Sequence, residues 1–241
     1  MKKTLAMVLT LALLCVLAVN STLSYFTDTA AAANTMTVGK VDIEQIEQKH
    51  DENGALVNLA ANADGVTSLG RLYPYTGGAA VDGWFSTANN AMDKIVTVKN
   101  TGSEAAYVRT LFAFEAVNGA DPIATSIIQA NFSGPSVGAL KAETTTPIKV
   151  KGVQYFVYSF TYDAALASGA TSAASLKQFY LDSSVGNGFA DAIGGSYEIL
   201  VISQAVQTQG FAAAGGKTAA QVALDTAFGE VNAANAATWF N

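Results

Sequence analysis

The sequence predicts an all-β protein, a jelly-roll-like antiparallel β-sandwich with short helices in long loops and an extended N-terminal segment. Several segments are rich in β-branched and aromatic residues and alternate in hydrophobicity with a period of two. Long loops separate these segments, whereas a parallel sheet requires regular crossover helices between its strands. Hydrophobic residues make up 50% of the 241-residue chain and charged residues 13%, a composition typical of ordered proteins.

Four segments have the clearest strand patterns. Residues 94–99 form a β-branched run with charged ends, and Asn-Thr-Gly supplies a turn directly after it. The other three are residues 106–114, 153–162 and 197–206, in which alternate positions place apolar side chains on one face. The residues that this alternation predicts to be buried in the core include Val108, Phe112, Phe114, Phe156 and Tyr158.

Two further regions complete the predicted fold. Short helical pieces are expected at residues 172–181 and 217–228, the second with apolar Ala219, Val222, Ala223 and Phe228. Residues 49–92 are the least patterned part of the chain, and we interpret them as a long surface excursion of one domain that spans residues 40–241.

Residues 1–24 have the features of a secretory signal peptide. Two lysines are followed by a 16-residue apolar run, which is shorter than the roughly 20 residues needed to span a bilayer. Thr22 and Ser24 then occupy positions −3 and −1 for cleavage before Tyr25. An uncleaved N-terminal anchor is the alternative interpretation.

Removal of this segment changes the composition of the exported chain. Cys15, the one cysteine, lies inside the apolar run, so the mature protein is expected to contain no disulfide. The mature chain has 11 basic and 19 acidic side chains and a formal charge of −8. An acidic chain is repelled by phosphate backbones, so nucleic acid is not a predicted partner.

The new N-terminus carries a family resemblance. The run YFTDT, followed by NTMTVGKVDI, resembles the start of TasA and camelysin-type proteins of Gram-positive bacteria. Met36 and Val38 stand where phenylalanine and alanine are usual, and residues 93–115 resemble a strand pair common in that family. The matching residues are Tyr25, Phe26, Asp28, Asn34, Thr35, Gly39, Asp42 and Ile43.

The resemblance implies export through a SipW-type signal peptidase and assembly into extracellular fibres, at the cell surface or in a biofilm matrix. It also implies donor-strand exchange between jelly-roll subunits, with other copies of the chain as partners and an accessory matrix protein as a further candidate partner. The proposed donor residues are Tyr25, Phe26, Asp28, Asn34, Thr35, Met36, Val38 and Gly39.

The residues themselves lead to the same hypothesis for segment 25–39. Apolar Phe26, Met36 and Val38 are separated by small residues, as in a strand that can add to a sheet edge of the next subunit. Head-to-tail contacts of this kind need not close, so they generate filaments. The alternative is a terminal strand that pairs within its own sheet.

The alternative functions are a monomeric cell-surface binding module and a metallopeptidase of the camelysin kind. Hydrolytic zinc usually needs three protein ligands, and the mature chain has one histidine, His50, and no cysteine. We therefore predict no catalytic residues, no cofactor and no metal site, and we expect His50 to be a solvated loop residue. Calcium binding by Asp51, Asn53 or Asp82 stays open beside simple solvation of these side chains.

The run LYPYTG at residues 72–77 resembles a sortase sorting signal only faintly. Such a signal lies near the C-terminus before an apolar stretch and a basic tail, whereas this run lies in mid-chain and the chain ends in AATWFN. The sequence predicts instead a Pro/Gly turn with exposed tyrosines.

We predict that export of the full-length chain yields a mature protein that begins at Tyr25, because Ser24 and Thr22 fit the −1 and −3 positions. N-terminal sequencing of the secreted protein tests this. A start beyond Ala33 would contradict it, because most of the proposed donor segment would then be lost.

Overall fold

The computed structural model describes residues 27–31, 34–36, 41–60, 69–186 and 196–241. The signal peptide and its predicted cleavage residues Thr22 and Ser24, and the donor residues Tyr25, Phe26, Val38 and Gly39, lie outside the described residues. The strands are β1 (Thr27–Ala31), β2 (Asn34–Met36), β3 (Ile43–His50), β4 (Leu56–Asn58), β5 (Met92–Asn100), β6 (Ala106–Glu115), β7 (Ile128–Phe132), β8 (Gly138–Ala142), β9 (Ile148–Val150), β10 (Val153–Tyr162), β11 (Leu176–Leu181) and β12 (Ile199–Gln207). Two helices follow the last strand, α1 (Ala219–Phe228) and α2 (Ala233–Phe240).

The strands form two antiparallel sheets, and this confirms the predicted all-β sandwich. The first sheet has the order β2-β1-β12-β6-β10-β8, with β9 also paired to β10. The second sheet has the order β4-β3-β5-β11-β7. From β5 to β8, and again from β10 to β12, each strand lies in the opposite sheet to the one before it. Neighbouring strands within a sheet are therefore mostly distant in sequence, as in a jelly roll.

The core between the sheets is built from the alternating residues that the sequence singled out. Val108, Phe112 and Phe114 of β6 and Phe156 and Tyr158 of β10 are all buried in one cluster, which confirms the predicted core. In the β6–β10 register Phe114 lies opposite Phe156, and Phe112 lies opposite Tyr158. The rings of Phe114 and Tyr158 meet edge to face at 5.8 Å, an arrangement that the ring quadrupoles favour.

The prediction of a helix at residues 172–181 is wrong, because Leu176–Leu181 forms strand β11. It pairs with β5 on one side and with β7 on the other, and its register shifts between Leu176 and Gln178. The shift breaks the period of two that identifies a strand, so the apolar residues of this segment imitate helical spacing. Pairing on both edges then determines its conformation.

Residues 49–92, which were predicted to form a long surface excursion, are only partly exposed. It contains the short strand β4, and Leu72 and Tyr75 are buried. Tyr73 is exposed, as predicted for the Pro/Gly turn, but the exposed position predicted for Tyr75 is wrong. The Tyr75 ring packs against Phe85 and Tyr180, and its hydroxyl donates to the Gly78 carbonyl.

The helix predicted at residues 217–228 is confirmed as α1, although it begins two residues later. Thr218 caps it, because its hydroxyl accepts from the Gln221 amide while the Gln221 side chain accepts from the Thr218 amide. The sequence analysis missed α2, whose N-cap is Asn232. Both helices pack on the outer face of the first sheet and bury Ala220, Ala223, Leu224 and Ala236.

A buried ion pair crosses from β5 to β3 inside the sandwich. Lys94 is 1% exposed, and its ammonium donates to the Glu47 carboxylate. Gln45 donates to the other oxygen of Glu47 at 2.9 Å. An ammonium group that is buried to this degree is stable only when it is paired and hydrogen-bonded.

We predict that Lys94→Met lowers the free energy of unfolding by about 3–5 kcal/mol, because it leaves the Glu47 carboxylate buried without its cation. The double variant Lys94→Met with Glu47→Leu should recover most of that loss. Urea unfolding of the chain measures both. Lys149→Met is the control, since this lysine is exposed in β9 and forms no ion pair among the described residues, and it should change stability by less than about 1 kcal/mol. Equal losses at the two lysines would contradict the prediction.

Candidate functional site at the edge of β12

β12 is a long strand whose two edges are covered by very different parts of the chain. One edge pairs with β6 along all nine residues, from Ile199 opposite Phe114 to Gln207 opposite Ala106. The other edge pairs with β1 along five residues, from Thr27 opposite Val206 to Ala31 opposite Ile202. Within the described part of the chain, β1 is the one strand that covers this second edge, which we call the β12 edge.

The donor residues that the structure describes lie in β1 and β2. Asp28 is in β1, opposite Ala205, and Asn34, Thr35 and Met36 form β2. β2 pairs with the far side of β1, and β1 also contacts β3 of the second sheet. In the single chain the N-terminal segment thus pairs within its own sheet, which is the alternative that the sequence left open.

Side chains below the β12 edge form a polar floor. The Gln45 carboxamide donates to the Val201 carbonyl at 3.2 Å and accepts from the Ser203 hydroxyl at 2.9 Å. The Ser203 hydroxyl also lies 3.2 Å from the Thr110 hydroxyl of β6. Val201 is the residue next to the end of the β1 ladder at Ile202, so Gln45 continues the hydrogen bonding of this edge with a side chain.

Above the β12 edge, on the outer face of the sheet, lies a buried guanidinium. Arg109 of β6 is 2% exposed and is opposite Gln204 of β12 in the register. Its Nε donates to Gln204 Oε1 at 2.6 Å, and its two terminal nitrogens donate to Asp225 and to the Gly229 carbonyl. The rings of Phe228 and Trp239 lie within 6.0 Å of the guanidinium carbon. One side chain therefore ties β6 and β12 to both helices.

The positive charge of Arg109 is balanced mainly by the Asp225 carboxylate of α1. Burial lowers the pKa of Arg109, and the carboxylate of Asp225 acts in the opposite direction. Asp225 also accepts from Lys217, which in turn donates to Glu230. A cavity of about 340 Å³ lies beside this charged group, between the outer face of the sheet and the start of α1.

Gln204 carries an unusual polar atom. Its side chain is fully buried, and its Oε1 accepts from Arg109. Its Nε2 has no hydrogen-bond partner among the residues that the structure describes. A buried amide group without a partner costs about 1–3 kcal/mol, so such an atom calls for a physical explanation.

A second feature is a cleft of about 400 Å³ near the end of β3. His50 lines it, and the prediction of a solvated loop histidine is wrong, because His50 is the last residue of β3 and is half-buried. Its Nδ1 lies 2.7 Å from the Asp93 carboxylate, and its ring meets Trp84 edge to face. The residues that line the cleft are Lys49, His50, Asp51, Leu59, Leu69, Arg71, Tyr73, Thr87, Asn90, Ala91, Met92 and Asp93.

The acidic residues considered for calcium do not meet in space as a cluster. Asp51 uses one carboxylate oxygen to accept from the amides of Asn53 and Ala55, which closes the turn after β3. Asp82 lies in a separate turn with φ 51°. The described residues contain no group of three or more His, Cys, Asp or Glu side chains that could hold a metal ion. None of the helices described has the length and apolar character of a membrane-spanning segment.

The sequence reasoning missed the side chains that surround the β12 edge. Ser203 and Gln204 are polar residues in the middle of the largely apolar strand β12, whereas Gln45 lies in β3, which is rich in polar residues. Arg109 lies on the face of β6 opposite Phe112, and it is buried although it is charged. A buried polar side chain needs a hydrogen-bond partner. A polar residue in the middle of an apolar strand therefore indicates a buried polar contact, and this was the signal in the sequence for Ser203 and Gln204.

Comparison with family models, curated proteins and solved structures found no match to this chain. The resemblance to TasA and camelysin-type proteins therefore stays a prediction.

We predict that the purified mature protein contains no stoichiometric zinc and shows no chelator-sensitive proteolysis, since His50 is its one histidine and its ring is held by Asp93. Elemental analysis and a casein-cleavage assay with and without chelator measure this. Cleavage that a chelator abolishes in a homogeneous sample would support the metallopeptidase instead.

Proposed function

We propose that the chain is a secreted structural subunit of an extracellular fibre, in a biofilm matrix or a pilus-like filament, assembled by exchange of its N-terminal strand. The observation that carries this proposal is the pairing of β1 with β12. A strand in the middle of the first sheet has one edge covered by a segment that lies at the chain terminus. The same pairing made by the β1 of another copy would join two subunits.

Pairing of the β12 edge with the β1 of another copy is more favourable than leaving this edge unpaired. A strand edge that is left open exposes a row of backbone donors and acceptors that pair readily with another chain. A second copy supplies the same five-residue ladder, so exchange conserves the hydrogen bonds made within the single chain. Each subunit would then offer one strand and accept one strand, and this heterologous contact need not close into a ring.

The composition of β1 fits the environment of the β12 edge. Its sequence TDTAA contains only small residues. Below the edge lie the polar groups of Gln45, Ser203 and Thr110, and above it lies Gln204. A polar floor is hydrated when the strand is absent, so an unfilled edge does not expose a large apolar surface. This supports a subunit that stays soluble until it assembles.

The position of the predicted cleavage site supplies a trigger. Tyr25, the expected first residue of the mature chain, is two residues before β1. While residues 1–24 remain attached, an apolar segment directly precedes the strand that must enter a neighbour. Cleavage by a SipW-type peptidase would free that strand, so export and assembly would be coupled.

A second candidate function is a monomeric cell-surface binding module, and the cleft near His50 favours it. The cleft combines an apolar floor, with Leu59, Leu69 and Met92, and a polar rim that includes Tyr73 and Arg71. The guanidinium of Arg71 stacks over the Tyr73 ring at 5.3 Å. Clefts that combine an apolar floor with a polar rim are typical of ligand sites.

We predict that a chain starting at Val41 stays folded but does not polymerise, because it keeps the core and lacks β1 and β2. Circular dichroism and electron microscopy measure the two properties. A peptide of residues 25–39 should occupy the β12 edge and shorten the filaments of the full-length mature chain. A scrambled peptide of the same composition is the control.

Filaments of normal length from the chain that starts at Val41 would end the strand-exchange proposal. The binding-module function would then lead.

A further inference from the structure

The cleft near His50 contains a histidine whose ring is oriented by a buried carboxylate. Asp93 is 8% exposed, and its Oδ2 accepts from the His50 backbone amide at 3.0 Å and lies 2.7 Å from His50 Nδ1. An ionised carboxylate can only accept, so Nδ1 carries the proton, and in the neutral ring Nε2 carries the lone pair. The other oxygen of Asp93 accepts from Gln178 at 2.8 Å, so the carboxylate is itself held in place.

The second ring nitrogen of His50, Nε2, is the atom that the protein leaves unused. The side chain lines the cleft and is 35% exposed. Nε2 has no hydrogen-bond partner among the residues that the structure describes, and Trp84 packs edge to face against the same ring at 5.0 Å. An imidazole that is fixed by Asp93 and Trp84 and retains an acceptor is suited to bind a hydroxyl group of a ligand.

The charges that line the cleft favour an anionic group, although the whole chain is acidic. Lys49 and Arg71 line it, and Lys49 forms no ion pair within the described part of the chain. The acidic side chains that line it are engaged within the protein, since Asp93 holds His50 and Asp51 closes the turn after β3. Charges more distant than about 8 Å are largely screened at physiological salt, so the net charge of the chain matters less than these local cations.

The cleft also offers aromatic and apolar surface. Tyr73 is 49% exposed, and the Arg71 guanidinium stacks over its ring. The side chains of Leu59, Leu69 and Met92 line the same space, and its volume of about 400 Å³ is that of a pocket for a small ligand. A ligand with an apolar face, hydroxyl groups and one negative charge therefore matches this surface.

We infer that the cleft near His50 binds an acidic sugar unit of a polysaccharide. A sugar ring has apolar C–H faces and a rim of hydroxyl groups, and a uronic acid adds one carboxylate. The Lys49 ammonium pairs with that carboxylate, His50 Nε2 accepts from a ring hydroxyl, and Tyr73 provides the apolar contact. A neutral sugar lacks the group that pairs with Lys49, and an acyclic hydroxy acid lacks the ring face that contacts Tyr73.

This site is independent of strand exchange. The described residues that line the cleft include none from β1, β6 or β12. The inference gives a ligand class to the second candidate function, and it holds for a single subunit as well as for a fibre. In a fibre the site repeats once per subunit, so a long acidic polysaccharide can bind several subunits at once.

Calorimetric titration of the mature chain that begins at Tyr25 tests the inference with three probes. These are oligoglucuronate, a neutral oligoglucoside of the same length, and gluconate, which has the carboxylate and hydroxyl groups but no ring. We expect oligoglucuronate to bind about tenfold more tightly than either of the others, because each lacks one of the contacts. Undetectable binding of oligoglucuronate overturns the inference, as does equal binding of either other probe.

Variants of the lining residues assign the contacts. Lys49→Met should weaken oligoglucuronate binding about tenfold and leave the neutral oligoglucoside unaffected. His50→Asn retains a donor for Asp93 but removes Nε2, and it should weaken binding of both sugars about fivefold, as should Tyr73→Leu. Lys149→Met is the matched control, since it removes an exposed lysine of β9 outside the cleft and should leave binding unchanged. Equal losses for the two lysine variants overturn the inference.

Two further measurements on the same samples keep the outcomes distinct. Circular dichroism reports whether each variant folds, and the exposed positions of Lys49 and Tyr73 carry the test if His50→Asn does not fold. Electron microscopy reports on the fibre. Selective binding of oligoglucuronate by a chain that never forms filaments supports the sugar site and contradicts the fibre. Filaments from a chain without selective binding leave the fibre standing and overturn the sugar site.

Discussion

The need to cover the β12 edge shapes the rest of this molecule. β12 supplies buried residues to both of its faces, with Val201 and Ala205 in the main core and Val206 under α1. A strand with so much buried surface on both faces cannot leave one edge unpaired without a cost, because the backbone groups there have few alternative partners. The chain meets this need with five residues from its terminus and with the side chain of Gln45.

The polar groups around that edge are connected to the elements that hold the sandwich together. Below it, Gln45 links Ser203 to Glu47 and hence to the buried ammonium of Lys94. Above it, Gln204 is linked through Arg109 to α1 and to the segment before α2. Both connections run through buried charges, and these interactions are strong only in the correct geometry. The polar side chains on both faces of this edge are therefore held in place by buried charges.

This combination suits a subunit that exchanges one strand. An edge whose own side chains are already hydrogen-bonded loses little conformational entropy when a new strand pairs with it. A polar floor tolerates water in the absence of the strand. The small residues of β1 match an edge whose neighbours are hydroxyl and carboxamide groups, whereas the sequence analysis named Phe26, Met36 and Val38 as the apolar residues of the donor segment. Of these three, Met36 lies in β2, one strand further from β12.

The sequence by itself determined the fold class and most of the core. The period of two in β6 and β10 requires one buried face, so Phe112, Phe114, Phe156 and Tyr158 could be assigned without coordinates. Tertiary structure decided the rest, because it depends on partners that are distant in the chain. β11 is a strand since β5 and β7 pair with both of its edges, despite a bulge that imitates helical spacing. Arg109 and Gln204 are 95 residues apart, and only strand pairing brings them to 2.6 Å. Local patterns record which face of a strand is buried, whereas the partner of a buried polar group is set by the register between strands.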